Sequence, residues 1–408
     1  MGEKTPTHLK KIIKCLYFGN LLSCADISEQ IEKSIPLTTK MLTELIETGW
    51  VTETGFAAST GGRRPVMYSL KAEMMYIIAV AMDQLTTRIA LMDLRNNYVT
   101  TIEKFELPLT KNPHGLSTLA QRINDVIEKS GIPKNKIAGV GIGMPGFIDF
   151  VKGINYTFLC LDHESINKHL SKQLDLPVFI DNDSSLIALA ELRFGAAKKK
   201  KNAMVINIGW GVGLGLILNG ELFRGHNGFA GEFSHLPLFD NNKMCSCGKS
   251  GCLETEASLL VVIDNMKKAL HDGRPSILNE LTDENDLAWE AISEAAAKGD
   301  KLSVEMLFHA GYTIGRGAAI LIHLLNPEVI ILSGRGSLTG RIWLAPIHQA
   351  LNEHCIPRLG AGTEIQISQL GYQAELIGAA ALVMEHYEGN FMERNFARGV
   401  ISDDVNSN

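Results

Sequence analysis

The sequence predicts two parts of different class, a winged helix-turn-helix over residues 1–71 and a larger α/β region that follows it. Three observations carry this. Three short apolar-striped helical segments precede a Gly/Arg-rich loop set between two strand-like runs. From about residue 75 the texture changes to apolar strands alternating with longer helical patterns. Within that second region, Cys245, Cys247 and Cys252 crowd into eight residues.

In the first part, Thr7 to Gly19 carries Leu9, Ile12, Ile13, Leu16 and Tyr17 on one stripe, and Cys24 to Ile31 forms a second helix. Thr38 to Thr48 repeats the pattern with Met41, Leu42, Leu45 and Ile46. Ser23 suits the N-cap of the second helix, Pro36 lies where helices start, and Gly49 follows the last periodic residue as a C-cap. Trp50 to Glu53 and Val66 to Leu70 then read as strands flanking Ala58-Ser59-Thr60-Gly61-Gly62-Arg63-Arg64-Pro65. The order is helix, helix, helix, wing.

In the second part, Ile77 to Met82 with Arg88 to Asp93 predicts a hairpin, and Ile137 to Met144 and Val178 to Asp181 predict buried strands. Met204 to Ile208 with Gly215 to Leu218 predicts another hairpin, so both halves of this region begin alike. A helix over Tyr312 to Leu325 leads into a strand over Glu328 to Ser333. Residues 389–408 lack periodicity and read as a disordered tail.

At 408 residues, 45% hydrophobic and 21% charged, the chain is long enough for two or three cores, and wholesale disorder is excluded. It shows no apolar run of the roughly 18–20 residues a membrane span needs, and the lysines near its start accompany no signal-type apolar segment. A soluble, cytoplasmic protein with no membrane partner is expected. The net charge of −6 argues against a nucleic-acid partner, but its distribution does not. Residues 1–71 hold nine Lys/Arg against seven Asp/Glu, a net +2 that leaves −8 for the rest.

Small polar side chains at the start of a recognition helix suit contact with base edges, and Thr38, Thr39, Lys40 and Thr43 fill that place. Arg63 and Arg64 add guanidinium groups of the kind a narrow minor groove attracts. Double-stranded DNA is therefore the expected partner; the alternative is a small protein-binding or dimerising helical unit. Cys-x-Cys-x4-Cys, with His235 ten residues upstream of Cys245, supplies four ligands for tetrahedral zinc. Four protein ligands leave no open position, so a structural zinc is expected, with a metal-free thiol cluster or a disulfide as alternatives.

From about residue 8 to 388 the chain resembles the ROK family (repressors, open reading frames and sugar kinases), in particular repressor-type members with an N-terminal winged helix-turn-helix. The resemblance rests on Ser59-Thr60-Gly61-Gly62-Arg63-Arg64-Pro65, Gly141-Ile142-Gly143-Met144-Pro145-Gly146, Asp181-Asn182-Asp183, Gly231-Glu232-Phe233-Ser234-His235 and Cys245-Ser246-Cys247-Gly248-Lys249-Ser250-Gly251-Cys252-Leu253-Glu254. It implies an actin-like, ribonuclease-H-like or hexokinase-type two-lobed ATPase fold with a sugar between the lobes. The implied division is lobe 1 over 72–190, lobe 2 with the zinc loop over 191–371, and a C-terminal helix over 372–388 that completes lobe 1. It further implies sugar contacts from Asn182, Asp183, Glu232, His235 and Glu254, with Asp183 at the general-base position of the kinases. Such acceptors suit a ring of hydroxyls, each of which costs about 1–3 kcal/mol if buried without a partner. Asn182 and Asp183 also read as a helix N-cap before Leu186 to Phe194.

The nucleotide side departs from the kinase pattern. Where the kinases carry Asp-x-Gly-Gly-Thr, this chain reads Asp83-Gln84-Leu85-Thr86-Thr87. Side chains there crowd a turn that must approach phosphate, and they disfavour positive φ. Gly209, Gly211 and Gly213 are kept around Trp210, and Gly334 is kept beside Arg335. The expectation is a sugar-responsive DNA-binding regulator, a homodimer or higher homo-oligomer, that has lost ATP/Mg²⁺ chemistry. The alternatives are an active ATP-dependent hexose-type kinase and a regulator controlled by a docking protein.

Overall fold

A computed structural model of the chain describes residues 4–58, 64–161 and 164–387. Arg63 and the rest of 59–63, and the expected tail 389–408, lie outside the described residues.

The N-terminal unit consists of helices Lys4–Gly19, Cys24–Gln30 and Ile35–Glu47 followed by strands Val51–Phe56 and Val66–Leu70. Ser23 starts the second helix through a capping box: its hydroxyl accepts from the Asp26 N–H at 3.2 Å, and the Asp26 carboxylate accepts from the Ser23 N–H at 2.9 Å. The third helix begins a turn earlier than the sequence predicts, because Pro36 occupies its first turn behind an extended Ser34. Its end is set by Gly49 at φ +78°, whose N–H is donated to the Ile46 carbonyl. A two-residue strand, Leu22–Ser23, pairs with Val66–Leu70 and makes the sheet three-stranded. It is too short to show alternation in the sequence.

Leu9, Ile12, Ile13, Leu16, Met41, Leu42, Leu45 and Trp50 form a buried core that runs on into Ile77, Ala79 and the C-terminal Leu376 to Met384 segment. The N-terminal unit is thus packed onto the body of the molecule through shared apolar surface.

That body holds two five-stranded sheets. The first has the order Val178–Asn182, Ile137–Met144, Tyr76–Met82, Thr86–Asp93, Glu103–Glu106, parallel over the first three strands and antiparallel beyond. The second runs Glu364–Ile367, Val329–Ser333, Ala203–Ile208, Val212–Leu218, Glu221–Phe223 with the same directions. The hairpin that opens each half is therefore part of a repeated sheet topology.

Helices Asp183–Phe194 and Ala374–Glu385 cross so closely that a Cβ on Gly378 would lie 2.0 Å from the Leu186 carbonyl oxygen. The first of these helices is continuous through 190–191 and packs against the C-terminal helix on one side and the second sheet on the other. The expected helix over Tyr312 to Leu325 is the second half of Lys301–Leu325, which Asp300 caps by accepting from the Ser303 N–H at 2.9 Å. Among the described residues no helix is long and apolar enough to cross a membrane.

Candidate ligand cleft and metal centre

A cavity of about 440 Å³ opens between the two sheets, and Asn182, Asp183, Glu232, His235 and Glu254 all line it. Asp83, Gly209, Gly211, Gly213 and Gly334 line it too. Strand Val178–Asn182 ends in the cavity wall, and the helix starting at Asp183 leaves from it.

Asn182 is the cap of that helix. Its Oδ1 accepts from the N–H groups of Ser184 and Ser185 at 3.0 and 3.2 Å, and its Nδ2 donates to the Gly146 carbonyl at 3.3 Å. The capping reading of the sequence therefore holds for Asn182, whose oxygen already has two donors. Asp183, half-buried beside it, accepts at Oδ1 from the Ser184 N–H at 2.7 Å. Burial pushes its pKa up to about 7; Asp83 and Glu232 push the same way, against the stabilising Ser184 hydrogen bonds. A carboxyl tuned so near neutrality suits proton exchange with a hydroxyl.

From the second lobe, Glu254 Oε2 accepts from the Val212 N–H at 3.4 Å, which ties it to the Gly209–Gly213 turn. Glu232 sits 3.7 Å from His235 Nε2, and its carboxyl is raised by burial and by the Glu254 charge, with His235 opposing. The other imidazole nitrogen, Nδ1, is 3.4 Å from Cys245 Sγ, and Cys247 Sγ is 3.7 Å from Cys252 Sγ. All four ligand atoms lie within 4.8 Å of one another. A tetrahedral centre with metal–sulfur bonds of about 2.3 Å has edges of roughly 3.8 Å, so the donor set and spacing fit a metal ion. The loop is held for this by the Cys245 N–H donating to the Lys249 carbonyl at 2.8 Å and by a bridge between Pro237 and Cys252.

At the opposite end of the cavity the turn after Tyr76–Met82 closes on itself. Asp83 Oδ1 accepts from the N–H groups of Leu85 and Thr86 at 2.8 and 2.7 Å. Gly209 donates its N–H to the Gly211 carbonyl at 2.9 Å. Gly334, at φ +79°, stands where a Cβ would lie 2.1 Å from Asn207 Oδ1, so only glycine fits the turn that presents Arg335. Arg335 is buried, its guanidinium 4.3 Å from the centre of the Trp210 ring and 4.2 Å from that of Tyr372. It pairs with Asp83 at 3.2 Å and also with Asp286. The sequence marked Arg335 only as the neighbour of Gly334, a bulky cation between two glycines, and gave no role to Asp286, Tyr372 or Glu375. Glu375 lines the cavity with its carboxyl raised by burial to about 8, Arg88 opposing, and with Oε1 unpartnered. Phe147 and Phe229, 5.6 Å apart and edge to face, also line the cavity.

On the N-terminal unit, Thr39, Lys40 and Thr43 are exposed on one side of helix Ile35–Glu47, and Arg64 is exposed beside the wing. Thr38 is a correction. It is fully buried and its hydroxyl donates to the Ser34 carbonyl at 3.1 Å, because it shares the core-facing stripe of Met41, Leu42 and Leu45.

The far end of helix Asp183–Phe194 touches the N-terminal unit. Phe194 packs against Tyr17 and Phe18 with ring centres 5.7 and 6.0 Å away, and Arg193 lies 4.8 Å over Phe18 while pairing with Glu385 at 2.6 Å. One helix thus spans the cleft and the N-terminal helix.

Comparison with known proteins follows this geometry. The ROK family model matches residues 77–386. The chain is similar to the xylose repressor of Caldicellulosiruptor bescii, at 28% identity over 91% of this chain and 94% of the relative. It is also similar to the glucokinase of Halalkalibacterium halodurans, at 33% identity over 72% of this chain and 90% of the relative. Among solved structures, a ROK family transcriptional regulator, a homologue of the E. coli MLC protein, superposes with a TM-score of 0.74 at 27% identity, covering 95% of this chain and 99% of that one. Because the family model matches about three quarters of its length, from residue 77 to 386, this chain belongs to the ROK family.

Proposed function

We propose that the protein is a sugar-responsive transcriptional repressor of carbohydrate-metabolism genes, binding operator DNA through its N-terminal unit and a sugar through the cleft. The observation that carries this reading is one of extent. The likeness to a repressor and to a transcriptional regulator spans 91% and 95% of this chain, whereas the glucokinase likeness spans 72%. The family model begins at residue 77, after the N-terminal unit.

In this reading residues 1–71 are a winged helix-turn-helix whose exposed Thr39, Lys40 and Thr43 face base edges and whose Arg64 and Arg63 follow a groove. Asp183, Glu232 and Glu254 accept hydrogen bonds from sugar hydroxyls, and Asn182 fixes the helix start that carries Asp183. His235, Cys245, Cys247 and Cys252 hold a zinc ion that clamps the loop bearing Glu232 and Glu254. With four protein ligands the ion is structural. His235 then ligates through Nδ1 and directs Nε2 toward Glu232, which couples the metal loop to the sugar. The protein works in the cytoplasm as a homodimer, placing two recognition helices on half-sites about 34 Å apart or a multiple of that.

Sugar binding reaches the DNA-binding unit along helix Asp183–Phe194. Its twelve residues span about 18 Å from the sugar-facing carboxylate to the Phe194–Tyr17–Phe18 contact. Repression is relieved when sugar draws the lobes together and this helix moves. A full switch from about 1:99 to 99:1 requires roughly 10⁴-fold preference for one state.

A thermal-shift panel of neutral sugars, amino sugars and sugar phosphates on the zinc-loaded protein tests the reading. A sugar that stabilises wild type without ATP, and no longer does so in Glu254→Ala, supports the sensor. The second reading is an ATP-dependent sugar kinase, favoured by an Asp183 carboxyl tuned to about 7. It takes over if Mg²⁺-ATP yields phosphorylated sugar and Asp183→Ala does not.

A further inference from the structure

The part of the cleft that a sugar sensor leaves without a task is its glycine-turn end, and its geometry is unusual in one respect. A buried arginine stands there among carboxylates from both sides of the cleft. Asp83 lies in the turn of the first sheet, whereas Arg335 follows strand Val329–Ser333 of the second. Asp286, at the start of helix Asn285–Ala297, accepts from Arg335 and also from Lys104, which is on edge strand Glu103–Glu106 of the first sheet. The chain of charges Asp83, Arg335, Asp286, Lys104 therefore leaves the first lobe, crosses to the second and returns. Trp210 and Tyr372 flank the guanidinium on its path.

The groups a phosphate would need are engaged within the protein. The N–H groups of Leu85 and Thr86 are donated to Asp83, and that of Gly209 to Gly211. Asp83 and Asp286, carboxylates of the kind that hold Mg²⁺, both pair with Arg335, and Lys104 on Asp286 supplies the second positive charge. A planar, permanently charged, weakly hydrated guanidinium fits such a desolvated place between two rings and two carboxylates better than an ammonium would.

We propose that Arg335 is a built-in occupant of the phosphate end of the cleft. Its guanidinium shuts this end against polyphosphate ligands and, through Asp83 and Asp286, ties the lobes together in place of a bound Mg²⁺-nucleotide. Arg335 thereby determines specificity, leaving the cleft to sugar alone. It also sets how far the lobes stand apart before sugar arrives. The proposal rests on reading the cleft as a sugar site, and its test separates the two.

The test compares full-length wild type with Arg335→Ala, Arg335→Lys and Asp83→Asn, using a fluorescent, non-hydrolysable ATP analogue with Mg²⁺ and small-angle scattering for lobe separation. Wild type is expected to give no saturable nucleotide binding. Arg335→Ala is expected to bind the analogue saturably, at least about tenfold more tightly than the upper limit set by wild type, and to enlarge the radius of gyration. Arg335→Lys keeps the charge but loses the fork, and falls between. Asp83→Asn is expected to open the lobes as Arg335→Ala does, and the double variant to open them no further than either single one. If Arg335→Ala does not fold, Arg335→Lys and Asp83→Asn carry the same comparison. Saturable Mg²⁺-nucleotide binding by wild type overturns the proposal and strengthens the kinase reading. Wild type without nucleotide binding, and variants that neither bind nucleotide nor open, overturn the proposal while the sugar-panel result stands unaffected.

Discussion

Asp183 shows how much of the site lies in the environment of one side chain. Its carboxyl is raised by folding from an ordinary 3.8 to about 7, so the native state binds its proton more tightly than the unfolded chain. Stability therefore falls as pH rises between those values and the penalty is complete above about pH 7. Asp183→Asn is expected to melt higher than wild type at pH 8, with the gap closing toward pH 4; about 4 kcal/mol is the ceiling for a rise from 3.8 to about 7. The ionised carboxyl is the stronger acceptor for sugar hydroxyls, so the stabilisation given by a sugar grows from pH 6 to pH 8, and a flat response would remove Asp183 from the sugar contacts. Cys247 makes a second residue-scale test because it is exposed and its truncation costs little packing. Cys247→Ser, or chelation, is expected to release one zinc per chain, lower the melting temperature by roughly 5 °C, about 2 kcal/mol for domains of this size, and abolish the sugar response. At this scale the cysteine spacing was legible because ligand geometry is local, and so was the alternative role of Asn182 as a cap. Thr38 was misread although the i, i+3, i+4, i+7 spacing to Met41, Leu42 and Leu45 already put it on the buried face.

At the scale of elements, helix Asp183–Phe194 links two functions because its ends meet different partners. Its middle is buried on all sides, Leu186 and Leu189 against the C-terminal helix and Ile187 and Ala190 against the second sheet. Buried Glu191 accepts from Ser333 Oγ at 3.2 Å, next to the turn that presents Arg335. Phe194→Ala is expected to lose about 2–3 kcal/mol of stability and to keep sugar affinity within about threefold. Sugar is expected to alter operator affinity much less in this variant than in wild type, as read by fluorescence anisotropy on a DNA site selected from random sequence. A sugar response that survives intact in Phe194→Ala and Phe194→Leu would place the route elsewhere. The position of this element was visible in the sequence as a strand followed by a capped helix. Its contact with the N-terminal helix was not, because Tyr17, Phe18 and Phe194 meet across more than 170 residues of chain.

For the whole molecule, linkage requires that sugar and operator act on each other equally. If a sugar weakens operator binding by a given factor, saturating operator DNA must weaken sugar binding by the same factor, measured by titration calorimetry at fixed salt. Unequal factors would mean that a further equilibrium, such as a change of oligomeric state, intervenes. The sequence alone determined the order of the main elements, the N-terminal unit and its basic excess, and the Cys/His cluster, since each depends on periodicity, capping or spacing within a short window, whereas the acids of the cleft were implied by the family resemblance. It also pointed to a changed phosphate turn through Gln84-Leu85-Thr86. What fills that place was decided only by tertiary structure. Asp83, Trp210, Asp286, Arg335 and Tyr372 come from five separate segments, and a cation buried between two rings and two carboxylates has no signature in any one of them. The shared core of the N-terminal unit with the first lobe is of the same kind. Apolar stripes show that a helix is covered, and only the assembled chain shows by what.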